Sequence, residues 1–394
     1  MSMSISMPML GAVASQQKML QVLLVLVLLV SLTLPVDGQC ISALDEITHR
    51  EIETAQKPAE ERSKPVTYVL CPNHVYRVGL PSEVSPIIYE GGSLPIVLLN
   101  SHRTVQCGLD GNPANNCTLH GGHHQLLVPS TDDLPKEFSS IGQHNAYNLT
   151  IRGIRFQAAE QMSLAMTNAG SLSIDGCIFD SQLSGEFVAY FKPPALSNEN
   201  RKLAKFGPDT TDGGLSGDDT DFSFDPHIKV AIANTLWKAN TVNIAVVAAT
   251  GNVQIDIVAN KFEKNNIRVQ IGAGSVVWLT DGRGTLQDSC FSENSYPLSS
   301  TIVNGGVFEI TNNAGRDLDR SQSTGCTNAW LYVQPSSTLG RALPENDFRC
   351  TPFEKRECPE AGSMVVSSAR RVVGHRISVA AAVGAAVSMI AVLC

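Results

Sequence analysis

The residues of this 394-residue chain that could bind a metal or move a proton fall into two clusters. In the first, His120-Gly-Gly-His123-His124, neutral imidazoles offer ready ligands for a metal such as zinc. Adjacent His123 and His124 would point to opposite faces of an extended strand, so ligation by all the imidazoles needs a bend there. The second cluster is acidic. Between Tyr190 and Pro226 stand Asp209, Asp212, Asp218, Asp219, Asp221 and Asp225, in a stretch rich in Gly and Thr. Asp218, Asp219 and Asp221 are oxygen donors of the kind Ca2+ takes, although the spacing is not that of an EF-hand loop. A solvated acidic loop is the competing reading, and long loops on rigid scaffolds also serve to cover grooves. No Cys-x-x-Cys occurs, so zinc-thiolate and dithiol redox chemistry have no motif.

Composition narrows what these groups could serve. The chain is 43% hydrophobic and 17% charged, with 29 Lys+Arg against 37 Asp+Glu and a formal charge of -8. That apolar content is ample for a core and excludes wholesale disorder. The acidic balance argues against a nucleic-acid partner, because affinity for phosphate chains comes mainly from Lys and Arg.

Both ends read as addresses. Met19 to Leu34 is an unbroken apolar run, preceded by Lys18 and followed by Pro35 and the small residues of a cleavage site after Gly38. Residues 1–38 therefore have the form of a secretory signal peptide. An uncleaved anchor is the alternative, but the run is shorter than the ~20 residues a span needs. At the other end, Ser378 to Cys394 is apolar and Ala-rich, behind a polar spacer (Arg370 to Ile377) and the small residues Ser367, Ser368 and Ala369. This order is that of a GPI-anchor signal over 363–394, with the lipid on Ser367 and Gly362-Ser363 as a second attachment point. A plain span would leave Arg370, Arg371 and Arg376 outside, against the positive-inside tendency. The expected location is the extracellular face of the plasma membrane or the cell wall, with the membrane engaged through the lipid anchor.

Ten cysteines suit the oxidising compartment that such a route implies. Cys107 and Cys117 bracket a loop of Gly, Asn and Pro and are the easiest local disulfide. Cys350 and Cys358 close a second short loop, while Cys177 and Cys290 sit inside apolar motifs and read as buried thiols. Two sequons, Asn116-Cys117-Thr118 and Asn148-Leu149-Thr150, mark Asn116 and Asn148 for glycans.

What must position all these groups is an internal repeat. Segments Ile151–Phe156, Ile174–Phe179, Ile232–Trp237, Ile257–Phe262 and Leu286–Phe291 each place an aliphatic residue five positions before an aromatic. In four of them an amide follows three further on, at Gln182, Asn240, Asn265 and Asn294. The aromatics are spaced 23, 58, 25 and 29 apart, the long interval being two periods plus an insertion. Val253-Gln-Ile-Asp-Ile257 alternates with the period of a strand, and Gly and Asn between repeats suit corners. Short strands joined by tight bends, repeating at ~25 residues, stack into a parallel β-helix whose coils bury one another's apolar faces. The amides then form a ladder from coil to coil.

The resulting expectation is an all-β solenoid of roughly nine coils over 66–330, interrupted by an acidic loop insertion at 190–226. Open ends of such a stack invite aggregation unless covered. Residues 39–65 are expected to give an N-terminal capping helix (41–57, with Ser42-Ala-Leu-Asp45 as its capping box) and a linker. Residues 331–362 are Pro- and Cys-rich and are expected to form a disulfide-stapled C-terminal cap.

The Ile174-Asp-Gly-Cys-Ile-Phe179 style of repeat resembles right-handed parallel β-helix proteins of the pectin-lyase-like superfamily, over about two-thirds of the chain. That superfamily holds lyases, hydrolases, esterases, adhesins and non-catalytic proteins, so the resemblance implies a fold more than an activity. Its pectate lyases hold Ca2+ on outward carboxylates of one sheet and use an Arg or Lys as base. Here the residues before the key aliphatics are Thr150, Ser173, Ala231, Asp256 and Thr285, and those after are Arg152, Asp175, Ala233, Val258 and Gln287. Neither column is acidic. The catalytic candidates this template leaves are Asp175, Asp256, Arg152 and Arg268, with an Arg152–Asp175 ion pair as the competing role. Of the glycoside hydrolase signatures, only Asp218-Asp219 matches in letters.

Two functions emerge as expectations. One is a cell-surface-anchored β-helix glycoprotein that binds polysaccharide or cell-wall and matrix glycan without turnover. The other is a divergent polysaccharide lyase or glycoside hydrolase.

Overall fold

The computed structural model describes residues 40–81, 89–130, 146–183, 185–193, 227–268, 274–296, 299–315, 331–333, 348–350 and 357–358. The chain divides into Met1–Cys40 and Ile41–Cys394, and every described helix and strand belongs to the second unit. The expected signal peptide, the lipid-anchor segment with Ser367, and 194–226 with Asp218, Asp219 and Asp221 lie outside the described residues.

Alternation along each segment makes strands, and their pairing is parallel throughout except for one two-residue antiparallel pair, Leu80–Pro81 with Tyr89–Glu90. One row runs through Val66–Leu70, Arg103–Cys107, Ala146–Arg152, Gly170–Asp175, Ile228–Ala233, Val253–Val258 and the second half of Ser275–Gln287. A second row runs from Val75–Arg77 through Ile154–Gln157, Ile178–Asp180, Leu236–Lys238 and Lys261–Glu263 to Ala314–Gly315. A third includes His124–Val128, Met162–Met166, Phe187–Phe191 and Ala245–Thr250, and it merges with the first because Ser275–Gln287 and Ser299–Thr311 serve both. The chain visits the rows in turn and then pairs with its own next turn. This order fits a parallel β-helix, and the structure is mostly β with few helices.

The turns between the first and second rows use one device. After each first-row strand a single residue adopts the left-handed region: Gly153, Gly176, Asn234, Ala259, Asp288 and Asn312, with φ between 51° and 64°. The N–H groups of the first five donate to the next coil, for example Gly176 to Ala233 at 3.1 Å and Ala259 to Gln287 at 3.0 Å. A second left-handed series, Ala158, Ser181, Ala239, Lys264 and Glu293, ends the second-row strands. Non-glycine residues in this region cost of order 1 kcal/mol each, so the hydrogen bonds to the next coil must hold them there.

Two columns fill and lock the interior. Phe156, Phe179, Trp237, Phe262 and Phe291 are fully buried and in register. Their rings stack face to face at centroid separations of 4.6, 4.2, 5.9 and 4.8 Å. Beside them runs the amide ladder. The Gln182 N–H donates to Asn240 Oδ1 (3.1 Å), Asn240 Nδ2 to Asn265 Oδ1 (2.9 Å) and Asn265 Nδ2 to Asn294 Oδ1 (2.8 Å). A further polar column, which the repeat pattern did not announce, sits at the first corner. There Asn260 accepts from Trp237 Nε1 (3.2 Å), its N–H donates to Ser289 Oγ, and the Ser289 N–H donates to Asn313 Oδ1.

At the N-terminal side, helix α1 (Leu44–Ala55) turns Leu44, Ile47 and Glu51 inward. Glu51 is completely buried and is surrounded by donors: Tyr68 Oη (2.8 Å), the Leu99 and Asn100 N–H groups (3.0 Å each) and Arg103 Nε (2.6 Å). Burial first, then the Glu51 charge, push the Tyr68 phenol above its ordinary pKa, so it stays a donor. The expected capping box is corrected here. Ala43 is the N-cap, with no side-chain bond, and Ile41 instead bridges Leu70 as a strand residue.

The cysteine pairing also needs correction. Cys107 joins Cys117, but Cys358 joins Cys290 rather than Cys350. Cys290 is thus a bridge and not a free thiol, whereas Cys177 is free and buried. Cys350 lies on Phe348–Cys350, opposite Ile310 in the parallel ladder.

Two outcomes are expected. Asn265→Ala removes a group that serves both neighbouring coils and should lower unfolding free energy by roughly 2–4 kcal/mol, whereas exposed Asn266→Ala stays near wild type. Urea unfolding that finds the two variants alike would refute the ladder's role. Non-reducing peptide mapping should recover Cys290 linked to Cys358; closing that 68-residue separation stabilises by about 4 kcal/mol in the chain-entropy view.

Candidate functional site

Because the first row is parallel and in register, residues two apart along each strand form straight outward files. One file is Thr150, Ser173, Ala231, Asp256 and Thr285, and the next is Ser171, Lys229, Gln254 and Arg283. Ser173 and Ala231 are short, so the surface sinks between Thr150 and Asp256. The result is an open groove of about 280 Å³ lined by hydroxyls, amides, Lys229 and Asp256 together with aliphatic carbon from Leu149, Leu172 and Val230. The sequence pattern gives the first of these files but not Ser171, Lys229 or Gln254, whose place is fixed only by strand register.

A bulge shapes one end. The pairing slips between Gly170 and Leu172, so that Tyr147 and Asn148 both stand outward near Ser171. Asn148 is left-handed (φ 57°), and its N–H donates to Ser171 Oγ at 2.7 Å. Its side-chain Nδ2 lies 3.3 Å from His102 Nδ1. Tyr147 is 44% exposed beside it.

The expected catalytic residues do not assemble. Arg152 Nε stands 3.7 Å from Asp175 Oδ2, and Asn234 Nδ2 donates to Asp175 Oδ1 at 2.9 Å. Asp256 accepts from Thr285 Oγ1 at 2.9 Å. Asp175 and Asp256 are two strands and two residues apart, which puts their backbones about 12 Å from one another. Each carboxylate is also engaged by its own neighbours, Asp175 by Arg152 and Asn234, Asp256 by Thr285. Arg268 is exposed but follows Asn266–Ile267, away from the first row, with its N–H on the Val242 carbonyl.

The imidazoles separate too. Gly121 and Gly122, with φ of 79° and 76°, supply a bend. Even so, His123 Nε2 turns to Glu160 Oε2 at 3.1 Å, a partner that sequence spacing did not suggest. His120 is exposed at the end of its strand, whereas His124 Nδ1 is buried without a hydrogen-bond partner. Burial, and then the charge of His123, lower the His124 pKa below its ordinary 6.5. Among the described residues no group of three His, Cys, Asp or Glu is placed to hold a metal. The Cys177 thiol is pushed up to about 12 by burial and is no nucleophile at neutral pH.

Two ion pairs lie on the second row, Arg155 with Asp180 and Lys261 with Glu263 (3.0 Å). These side chains are mostly covered, Lys261 and Glu263 being 13% and 19% exposed, so each charge is held by its partner rather than offered to a ligand. Both sequon asparagines, Asn116 and Asn148, are exposed. No helix among the described residues is long and apolar enough to cross a membrane.

No protein family matches the sequence, and no curated protein matches it. Among solved structures, the chain is similar to a mutant tailspike protein of E. coli bacteriophage HK620 in complex with a pentasaccharide. The identity is 10% and the TM-score 0.22, over 80% of this chain and 62% of the tailspike chain. The chain thus spans less than two-thirds of that protein's length.

The His124 environment sets a pH dependence. Unfolded, this imidazole takes a proton near 6.5; folded, it resists until lower pH. The unfolded state then binds more protons, so stability is full above that value and falls as pH drops through the window beneath it. His124→Gln should flatten the difference in urea midpoint between about pH 7.5 and about pH 5.5. An unchanged slope would show that the group is not held neutral.

Proposed function

We propose that this chain is a secreted, cell-surface β-helix glycoprotein that binds a polysaccharide or matrix glycan along the first-row groove without cleaving it. The observation that carries this reading is the groove's lining, with Thr150, Ser171, Ser173 and Gln254 set out at strand spacing over about 280 Å³. Hydroxyls and amides both donate and accept, as sugar hydroxyls do, and a repeat along the stack suits a repeating polymer. Tyr147 adds an exposed ring at the rim.

In this reading the chain winds right-handed, as in the pectin-lyase-like superfamily, and α1 caps the first coil through the buried Glu51. Residues 1–38 direct secretion, Ser367 carries a GPI anchor, and Asn116 and Asn148 carry glycans. The protein then resides on the outer face of the plasma membrane or in the cell wall. Ca2+ is not required by the groove, where Asp256 is the one carboxylate among the lining residues.

A second reading, a divergent polysaccharide lyase or glycoside hydrolase, draws on Asp256 and Lys229 lining the same groove. A panel of uronate-rich and neutral glycans, with and without Ca2+, separates the two. Binding without new unsaturated or reducing ends is expected. Ser173→Trp, which fills the floor, should weaken that binding at least tenfold, about 1.4 kcal/mol. Turnover would favour the enzyme, and binding indifferent to Ser173→Trp would remove the groove from the account.

A further inference from the structure

The sequon Asn148-Leu149-Thr150 and the groove are the same place. Asn148 and Thr150 both line the groove, and the bulge lifts Asn148 into an exposed left-handed position at its rim. We propose that a glycan on Asn148 lies along this groove and shields it, so that the protein's own sugar governs access to its binding face. The inference rests on the secreted, glycan-binding reading.

The amide keeps a hydrogen free for the bond. Asn148 Nδ2 carries two hydrogens and lies 3.3 Å from His102 Nδ1. With Nδ1 as acceptor one hydrogen stays in that contact, and the substituent replaces the other. Glycosylation forms a bond from Nδ2 to C1 of the first sugar and breaks the C1–oxygen bond of a lipid-pyrophosphate-linked oligosaccharide. The pyrophosphate departs with that bond's electron pair, and the amide proton passes to base. From Ala146–Arg152 the groove runs three strand spacings to Val253–Val258, about 14 Å, with short Ser173 and Ala231 on its floor. The same hydroxyl and amide lining that suits an external glycan suits an attached one.

Asn116 provides the contrast. It precedes disulfide-bonded Cys117 at a turn leading into the second row and does not line the groove.

The test uses full-length chain secreted from a eukaryotic host, compared before and after enzymatic trimming to the first sugar, and as Asn148→Gln and Asn116→Gln. Peptide mass spectrometry should find Asn148 occupied. Acylation of Lys229 by an amine-reactive ester, relative to the distant Lys264, should rise severalfold on trimming and in Asn148→Gln, but not in Asn116→Gln. Affinity for the glycan that binds best should rise about tenfold in parallel. An unmodified Asn148, or Lys229 labelling and affinity both unchanged by trimming, overturns the proposal. Protection of Lys229 with no glycan bound in any form sinks the binding function instead and leaves the shielding intact.

Discussion

The structure depends on one constraint: each coil must lie on the next in register, because every coil supplies half of its neighbour's core. Phe179 has one face against Phe156 and the other against Trp237, so neither ring is dry without its neighbours. The amide ladder enforces the same spacing by hydrogen bonds. Asn265 accepts from Asn240 and donates to Asn294, and a slip of one residue would leave these buried groups unpaired. Apolar stacking supplies the larger area, but it is tolerant of small shifts; the buried amides are not. Register is therefore set by polar groups inside an apolar stack.

The outer surface inherits that register. Straight files of outward side chains exist only because equivalent residues repeat their positions from coil to coil. A groove arises where the files happen to hold short residues, at Ser173 and Ala231. Charges elsewhere pair with one another: Arg152 with Asp175, Arg155 with Asp180, His123 with Glu160. What remains open to a ligand is a strip of hydroxyls, amides and aliphatic carbon, with Lys229 and Asp256 as its charges.

The buried Glu51–Arg103 pair has a different character. Both side chains have no solvent exposure, and desolvating them is expensive unless every lone pair finds a donor. Five donor contacts converge on the Glu51 carboxylate, from Tyr68, Leu99, Asn100 (backbone and side chain) and Arg103. Arg103 Nη2 stays buried without a hydrogen-bond partner, so the pair is better understood as fixing where α1 docks than as a source of stability.

Much of the fold was legible in the amino-acid order. The five aromatics and four amides recur at fixed offsets, and strand alternation excludes a helical repeat, so the stacked columns could be named in advance. The outward file through Thr150, Ser173 and Asp256 followed from the same count. Other features were decided by the packed chain. Ala158, Ala239 and Ala259 take left-handed corners that their side chains do not favour, because the bonds to the next coil outweigh local preference. Cys358 bridges Cys290 across 68 positions, and Asn148 comes to share a groove with Lys229. Periodicity along a sequence reports which side chains are equivalent within a stack. It carries no record of how insertions of unequal length bring distant segments side by side, and that neighbourhood is what makes the groove.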